Sequence, residues 1–132
     1  MGSKVVITGS FFMFIFLFGF WLSRAGKPYN SLIFNLHKLI GLAMGIFLIM
    51  TVYRVHQDEP FNPVQILVLA ITVIIFIILV AAGGLLSIEV AGNFENASQS
   101  TLGAISLVHK IFPYMALIST AGTLYLLLFR KF

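Results

Sequence analysis

Four predominantly apolar stretches, near residues 5–22, 32–53, 64–86 and 101–129, dominate this sequence. Each is about as long as the 20 residues a helix needs to cross the hydrocarbon of a bilayer. Composition agrees: of 132 residues, 60% are apolar and 9% charged, against about 45–50% and 25% in an ordinary globular chain. A chain so poor in charge has lipid for much of its solvent. The expectation is an all-α integral membrane protein, an up-down four-helix bundle in which sequential helices are antiparallel neighbours. Residues 1–132 form a single transmembrane domain, because what remains outside the spans is too short for an independent core. The two halves are also compatible with a repeated helical hairpin.

Local punctuation supports these spans. The first carries a Phe-rich run from Phe11 to Phe20 and stops at Arg24, Gly26, Lys27 and Pro28; the second opens at Asn30-Ser31, a natural cap pair, and closes at Arg54. The third is entered through Pro60 and Pro63 and contains no charge, and the fourth ends in Arg130-Lys131. The first span reads as a membrane helix and not a signal peptide, because basic residues follow it and no small-x-small cleavage site does. Gly2 is followed by Val6 where a myristoylation signal requires Ser or Thr. Lys4, Arg54, Arg130 and Lys131 collect on the face holding both termini, which the positive-inside rule makes cytoplasmic, in a cell inner membrane. Trp21 and Tyr29 on one side, with Tyr53 and Tyr125 on the other, fit aromatic belts.

Several function classes are disfavoured. With no cysteine there is no disulfide, thiol catalysis, iron–sulfur ligation or thiolate zinc site. The net charge of +4 is scattered, without the basic run that nucleic acid requires. All four acidic residues, Asp58, Glu59, Glu89 and Glu95, read as lying in connections, whereas proton-coupled transporters generally use an acid within a span. No nucleophile is paired with a base. His56 beside Asp58 and Glu59 reads as a solvated turn, without a partner histidine on its side. Thr72, Ser119, Thr120 and Thr123 are too sparse to define a polar pathway.

The informative residues are His37 and His109, in the strings Asn35-Leu36-His37-Lys38-Leu39-Ile40-Gly41 and Leu107-Val108-His109-Lys110-Ile111-Phe112-Pro113, 72 positions apart. They lie about 8 and 12 Å from the starts of the second and fourth spans at 1.5 Å per residue. Those spans run in the same direction, so both imidazoles reach a similar depth. Two imidazoles at one level of a four-helix bundle are an arrangement that grips a haem iron from both sides. Gly41 and Gly45 follow His37 at helical spacing, and Pro113, Ala116 and Thr120 follow His109, leaving room for a flat macrocycle. Pro113 also deprives the His109 carbonyl of its helical hydrogen bond. The other two spans reach this level through Gly19 and through Ala81-Ala82-Gly83-Gly84, so their walls are thin too. Lys38 and Lys110, with Arg24 and Lys27, are placed to balance haem propionates. The same residues have a plainer reading: Gly41-x-x-x-Gly45 is a common helix-packing motif, and interfacial histidines often just bond to headgroups or carbonyls.

On its hydropathy and on His37 and His109, the chain resembles the small membrane b-type cytochromes, whose haem is held by paired histidines on different spans. The resemblance implies one haem b per chain, ligated by His37 and His109. It further implies electron transfer linked to a quinol, a partner redox subunit or a homodimer. The second histidine pair of larger relatives with two haems is absent. The alternative from another class is a cofactor-free structural or assembly subunit of a larger membrane complex.

Overall fold

A computed structural model of the chain describes residues 2–26, 29–90, 92 and 98–128. Lys27, Pro28, Glu95, Arg130 and Lys131, to which the sequence reading assigned roles, lie outside the described residues. The described secondary structure is entirely helical: α1 (Gly2–Ala25), α2 (Ser31–Asp58), α3 (Pro63–Val90) and α4 (Gln99–Leu128). At 24–30 residues the helices are about 36–45 Å long, enough to cross a hydrocarbon core of about 30 Å. All four are long and apolar enough to span a membrane. The protein is an all-α integral membrane protein.

The helix ends follow from capping chemistry. Asn30 caps α2 from an extended backbone, its side-chain oxygen accepting from the N–H groups of Leu32 (3.0 Å) and Ile33 (3.2 Å), as the Asn30-Ser31 pair leads one to expect. Asn62 and Gln65 form a reciprocal capping box around Pro63: the Gln65 N–H donates to Asn62 Oδ1 and the Asn62 N–H to Gln65 Oε1, both at 2.9 Å. Gly26, at φ 69°, takes the left-handed conformation that closes α1, and its N–H donates to the Leu22 carbonyl. Asn30→Ala is expected to lower stability by about 1 kcal/mol. Unfolding in mixed micelles by a denaturing detergent checks that value, and an unchanged midpoint would show that the cap contributes nothing.

Two ends differ most from the sequence reading. Helix α2 runs on past Tyr53 to Asp58, and α3 past Leu86 to Val90. Arg54, His56, Asp58 and Glu89 are therefore on helices and not in connections. A span ends where lipid ends, but a helix ends where its backbone bonding is interrupted, here at the extended Glu59 ahead of Pro60.

The chain divides into two compact units, one carrying α1 and α2, the other α3 with α4 as far as Leu126. Each is an antiparallel hairpin. In the first, Phe12, Leu22 and Met44 are buried among apolar residues and Thr8 and Thr51 among polar ones, and the Phe11 and Phe47 rings meet at 5.9 Å. In the second, Ile75, Ala82, Ala116 and Leu124 are buried with Thr72, Thr120 and Thr123. The Thr72 hydroxyl donates to the Val68 carbonyl at 2.9 Å and meets the hydroxyls of Thr123 (2.7 Å) and Ser119. Gln65 Nε2 donates to the Leu126 carbonyl (3.1 Å), tying the start of α3 to the end of α4. Most other large apolar side chains face outward, Ile49, Val80 and Ile118 being more than 70% exposed. That outward apolar surface is what a bilayer covers.

Candidate functional site

His37 lies one turn and a half into α2, half-buried against α1. Its Nδ1 is 3.1 Å from the carbonyl oxygen of Ile15. Because a carbonyl only accepts, that contact places the proton on Nδ1 and the ring lone pair on Nε2. The ring rests over Gly19: a methyl group built there would stand 3.1 Å from Cε1 and 3.6 Å from Nδ1 of His37.

His109, three turns into α4, repeats this arrangement against α3. Its ring lies beside the backbone of Leu79 with Nδ1 buried, and a methyl group at Gly83 would stand 2.9 Å from Cε1 and 3.5 Å from Nδ1. Ile15 precedes Gly19 by four residues, as Leu79 precedes Gly83. Both histidines therefore rest over a glycine of the neighbouring helix, beside the backbone four residues before it.

The correspondence extends along both hairpins. On α1 and α3, equivalent positions are 64 apart: Thr8 and Thr72, Ile15 and Leu79, Gly19 and Gly83. On α2 and α4 they are 72 apart: His37 and His109, Lys38 and Lys110, Met44 and Ala116, Thr51 and Thr123, Tyr53 and Tyr125. The local structure matches. Thr8, Thr51, Thr72 and Thr123 are all buried, and each donates to the carbonyl four residues back. Met44 and Ala116 are each fully excluded from solvent. The two hairpins are repeats in both register and hydrogen bonding.

The other candidate residues fall as follows. Gly41 and Gly45 have open space above them, with nothing within 4 Å of an added methyl group, so the close helix approach that G-x-x-x-G often signals is not made there. Pro113 sits inside α4, half-buried, and the helix continues through it. Lys38 is exposed and holds its ammonium 4.6 Å from the centre of the Phe34 ring, a cation–π contact at the start of α2. Lys110 is exposed. The Arg24 guanidinium lies 5.3 Å from the Phe20 ring centre. His56 is exposed in the last turn of α2, its ring 4.8 Å from that of Phe61. Among the described residues no three His, Asp or Glu side chains cluster as a metal site would require. Thr72, Ser119 and Thr123 bond to one another and to backbone, which makes them ties between α3 and α4.

The sequence reading recognised Gly19 and Gly83 only as small residues at the right level, and the carbonyls of Ile15 and Leu79 not at all. The available signal was the common register, with a glycine in the first helix of each hairpin and a histidine in the second.

Chemically, each hairpin presents an imidazole against the backbone of its neighbouring helix, and in His37 the Nδ1 side is engaged by a carbonyl. That is the usual state of a metal-ligating histidine, whose other nitrogen is held by a carboxylate, carbonyl or water. Each imidazole is of the kind that serves as an axial ligand of a haem iron. Comparison of the chain with protein-family models, with curated proteins and with solved structures finds no match.

Proposed function

We propose that this protein is a membrane electron-transfer protein that holds one haem b through His37 and His109, one imidazole from each hairpin. The observation that supports this reading is the duplicated placement of the histidines: each ring rests over a glycine of the neighbouring helix and beside the backbone four residues before it, and in His37 the Ile15 carbonyl takes Nδ1, leaving the lone pair on Nε2. When bound, haem b supplies a one-electron ferric/ferrous couple, and imidazoles at both axial positions favour electron transfer over oxygen binding.

The chain's own residues have defined parts in this proposal. His37 and His109 ligate. Lys38 and Lys110, each next to a ligand, balance propionate charge together with Arg24 and Lys27. Gly41 and Gly45 keep the face of α2 beyond His37 low, and Pro113 withholds a backbone N–H from the His109 carbonyl. The electron donor is a quinol or a redox partner, which includes a second copy of the chain. The membrane is a cell inner membrane with both termini on the cytoplasmic side, following the basic residues at the span ends.

A second reading rests on the same contacts. A ring nitrogen bonded to a carbonyl on the neighbouring helix is also a helix-to-helix tie, which would suit a cofactor-free subunit that stabilises a larger complex. The visible spectrum separates the two. Chain purified in detergent from haem-replete cells is expected to show a sharp b-type α-band on reduction, at about one haem per chain by pyridine haemochrome. A well-folded, colourless protein would overturn the haem reading in favour of the structural one.

A further inference from the structure

The geometry points to Gly19 and Gly83 as positioning residues for the two imidazoles: we propose that the missing side chain at each exposes the carbonyl four residues earlier, so that the histidine ring docks on it with Nδ1 protonated and Nε2 turned into the donor atom. The inference deepens the ligand reading above and rests on it for its consequence at the iron. Its structural half stands by itself.

The carbonyl of residue i accepts the N–H of residue i+4, so the Ile15 carbonyl belongs to the N–H of Gly19 and the Leu79 carbonyl to that of Gly83. A carbonyl oxygen has a second lone pair, but a Cβ on residue i+4 points back toward the helix N-terminus, over the turn that carries this oxygen. Glycine removes that cover. The vacancy is filled in both hairpins by the Cε1–Nδ1 edge of an imidazole, 3.1 and 2.9 Å from where the methyl group would stand. Below 3.0 Å real Cβ contacts essentially do not occur, so at Gly83 the His109 ring or its helix must shift; at Gly19 the His37 ring must give by a few tenths of an ångström, away from the carbonyl it is bonded to.

The remaining glycines make the contrast. At Gly9, Gly41, Gly45, Gly84, Gly103 and Gly122 an added methyl group meets nothing within 4 Å. Alanine is the better helix former by about 0.8–1.0 kcal/mol, so substitution at Gly9 or Gly84 should be neutral or stabilising. At Gly19 and Gly83 the same substitution meets an imidazole. Gly84 adjoins Gly83 and Gly9 shares α1 with Gly19, which makes Gly84→Ala and Gly9→Ala matched controls.

The test is nitrogen NMR of the full chain in nanodiscs, labelled with ¹⁵N-histidine and prepared without haem. His37 and His109 are expected as Nδ1–H tautomers. In Gly83→Ala the His109 signal loses that form, and in Gly19→Ala, the milder clash, His37 does so in part; Gly84→Ala and Gly9→Ala leave both unchanged. With haem loaded, Gly83→Ala shifts the low-spin ferric EPR signal and the midpoint potential, and the controls do not. Unchanged tautomers and EPR in both Gly→Ala variants would overturn the positioning role while leaving haem binding in place. Tautomers that respond as stated in a protein that takes up no haem would uphold the positioning role and overturn the haem reading. Should Gly83→Ala fail to fold, Gly19→Ala carries the test.

Discussion

His37→Ala and His109→Ala are each expected to abolish low-spin haem binding, whereas His56→Ala leaves the spectrum intact. Loss of either axial imidazole removes the strong ligand field that defines a bis-histidine centre. His56, on the last turn of α2 against Phe61, has no equivalent in the second hairpin, where the corresponding position is Leu128. Alanine also removes the tie from His37 to the Ile15 carbonyl, so misfolding and ligand loss must be separated. His37→Gln does this: an amide N–H can still donate to that carbonyl but offers no imidazole nitrogen to iron. The expected outcome is a monodisperse, fully helical His37→Gln protein without the low-spin spectrum. A normal haem spectrum in any of the His37 or His109 variants would remove that residue from the ligand set.

How far the sequence alone reached can be judged at particular residues. The four membrane helices were legible because apolar length is a property of composition along the chain, and lipid imposes it directly. The Asn30 cap was legible because it depends on residues two and three positions away. The capping box at Asn62 and Gln65 is equally local, but the entry to the third span was read from Pro60 and Pro63 alone and not from the polar pair around Pro63. The surroundings of the histidines were partly legible. Gly41 was selected because it stands four residues from His37 on the same helix, yet open space lies above it. The glycine that touches the ring is Gly19, on the other helix of the hairpin. Contacts across helices depend on axial register, which no periodicity within one helix reveals. The duplication supplies that register afterwards, because Thr8, Gly19, His37 and Thr51 recur together as Thr72, Gly83, His109 and Thr123. The two identities in the histidine strings understated the repeat, since buried hydroxyls and a glycine carry more of it than the apolar residues between them.

Met44→Ala is expected to destabilise the first hairpin by about 1–2 kcal/mol, and Ile49→Ala, five residues further along the same helix, by close to nothing. In water, truncating a buried methionine costs about 2–5 kcal/mol, part for lost transfer free energy and part for the cavity left behind. In a bilayer the transfer part largely cancels, because a side chain released from its helix partner meets lipid tails as apolar as the interior it left. The cavity part remains. Met44 is fully excluded from solvent, so its removal leaves dispersion contacts unmade on every side. Ile49 is 71% exposed, and lipid fills the space its side chain vacates. The comparison therefore measures how much of the stability comes from close packing between helices, with burial from water removed from the account. Unfolding in bicelles by a denaturing detergent, following helicity, reads both variants on one scale. Equal midpoints for the two would show that the interior of this hairpin is no better packed than its lipid-facing surface. The equivalent position in the second hairpin is Ala116, also fully buried, where the side chain is already a single methyl group. Enlarging it to leucine is expected to cost about 1–3 kcal/mol through overpacking, so two halves built on one register should fail in opposite ways at the same point.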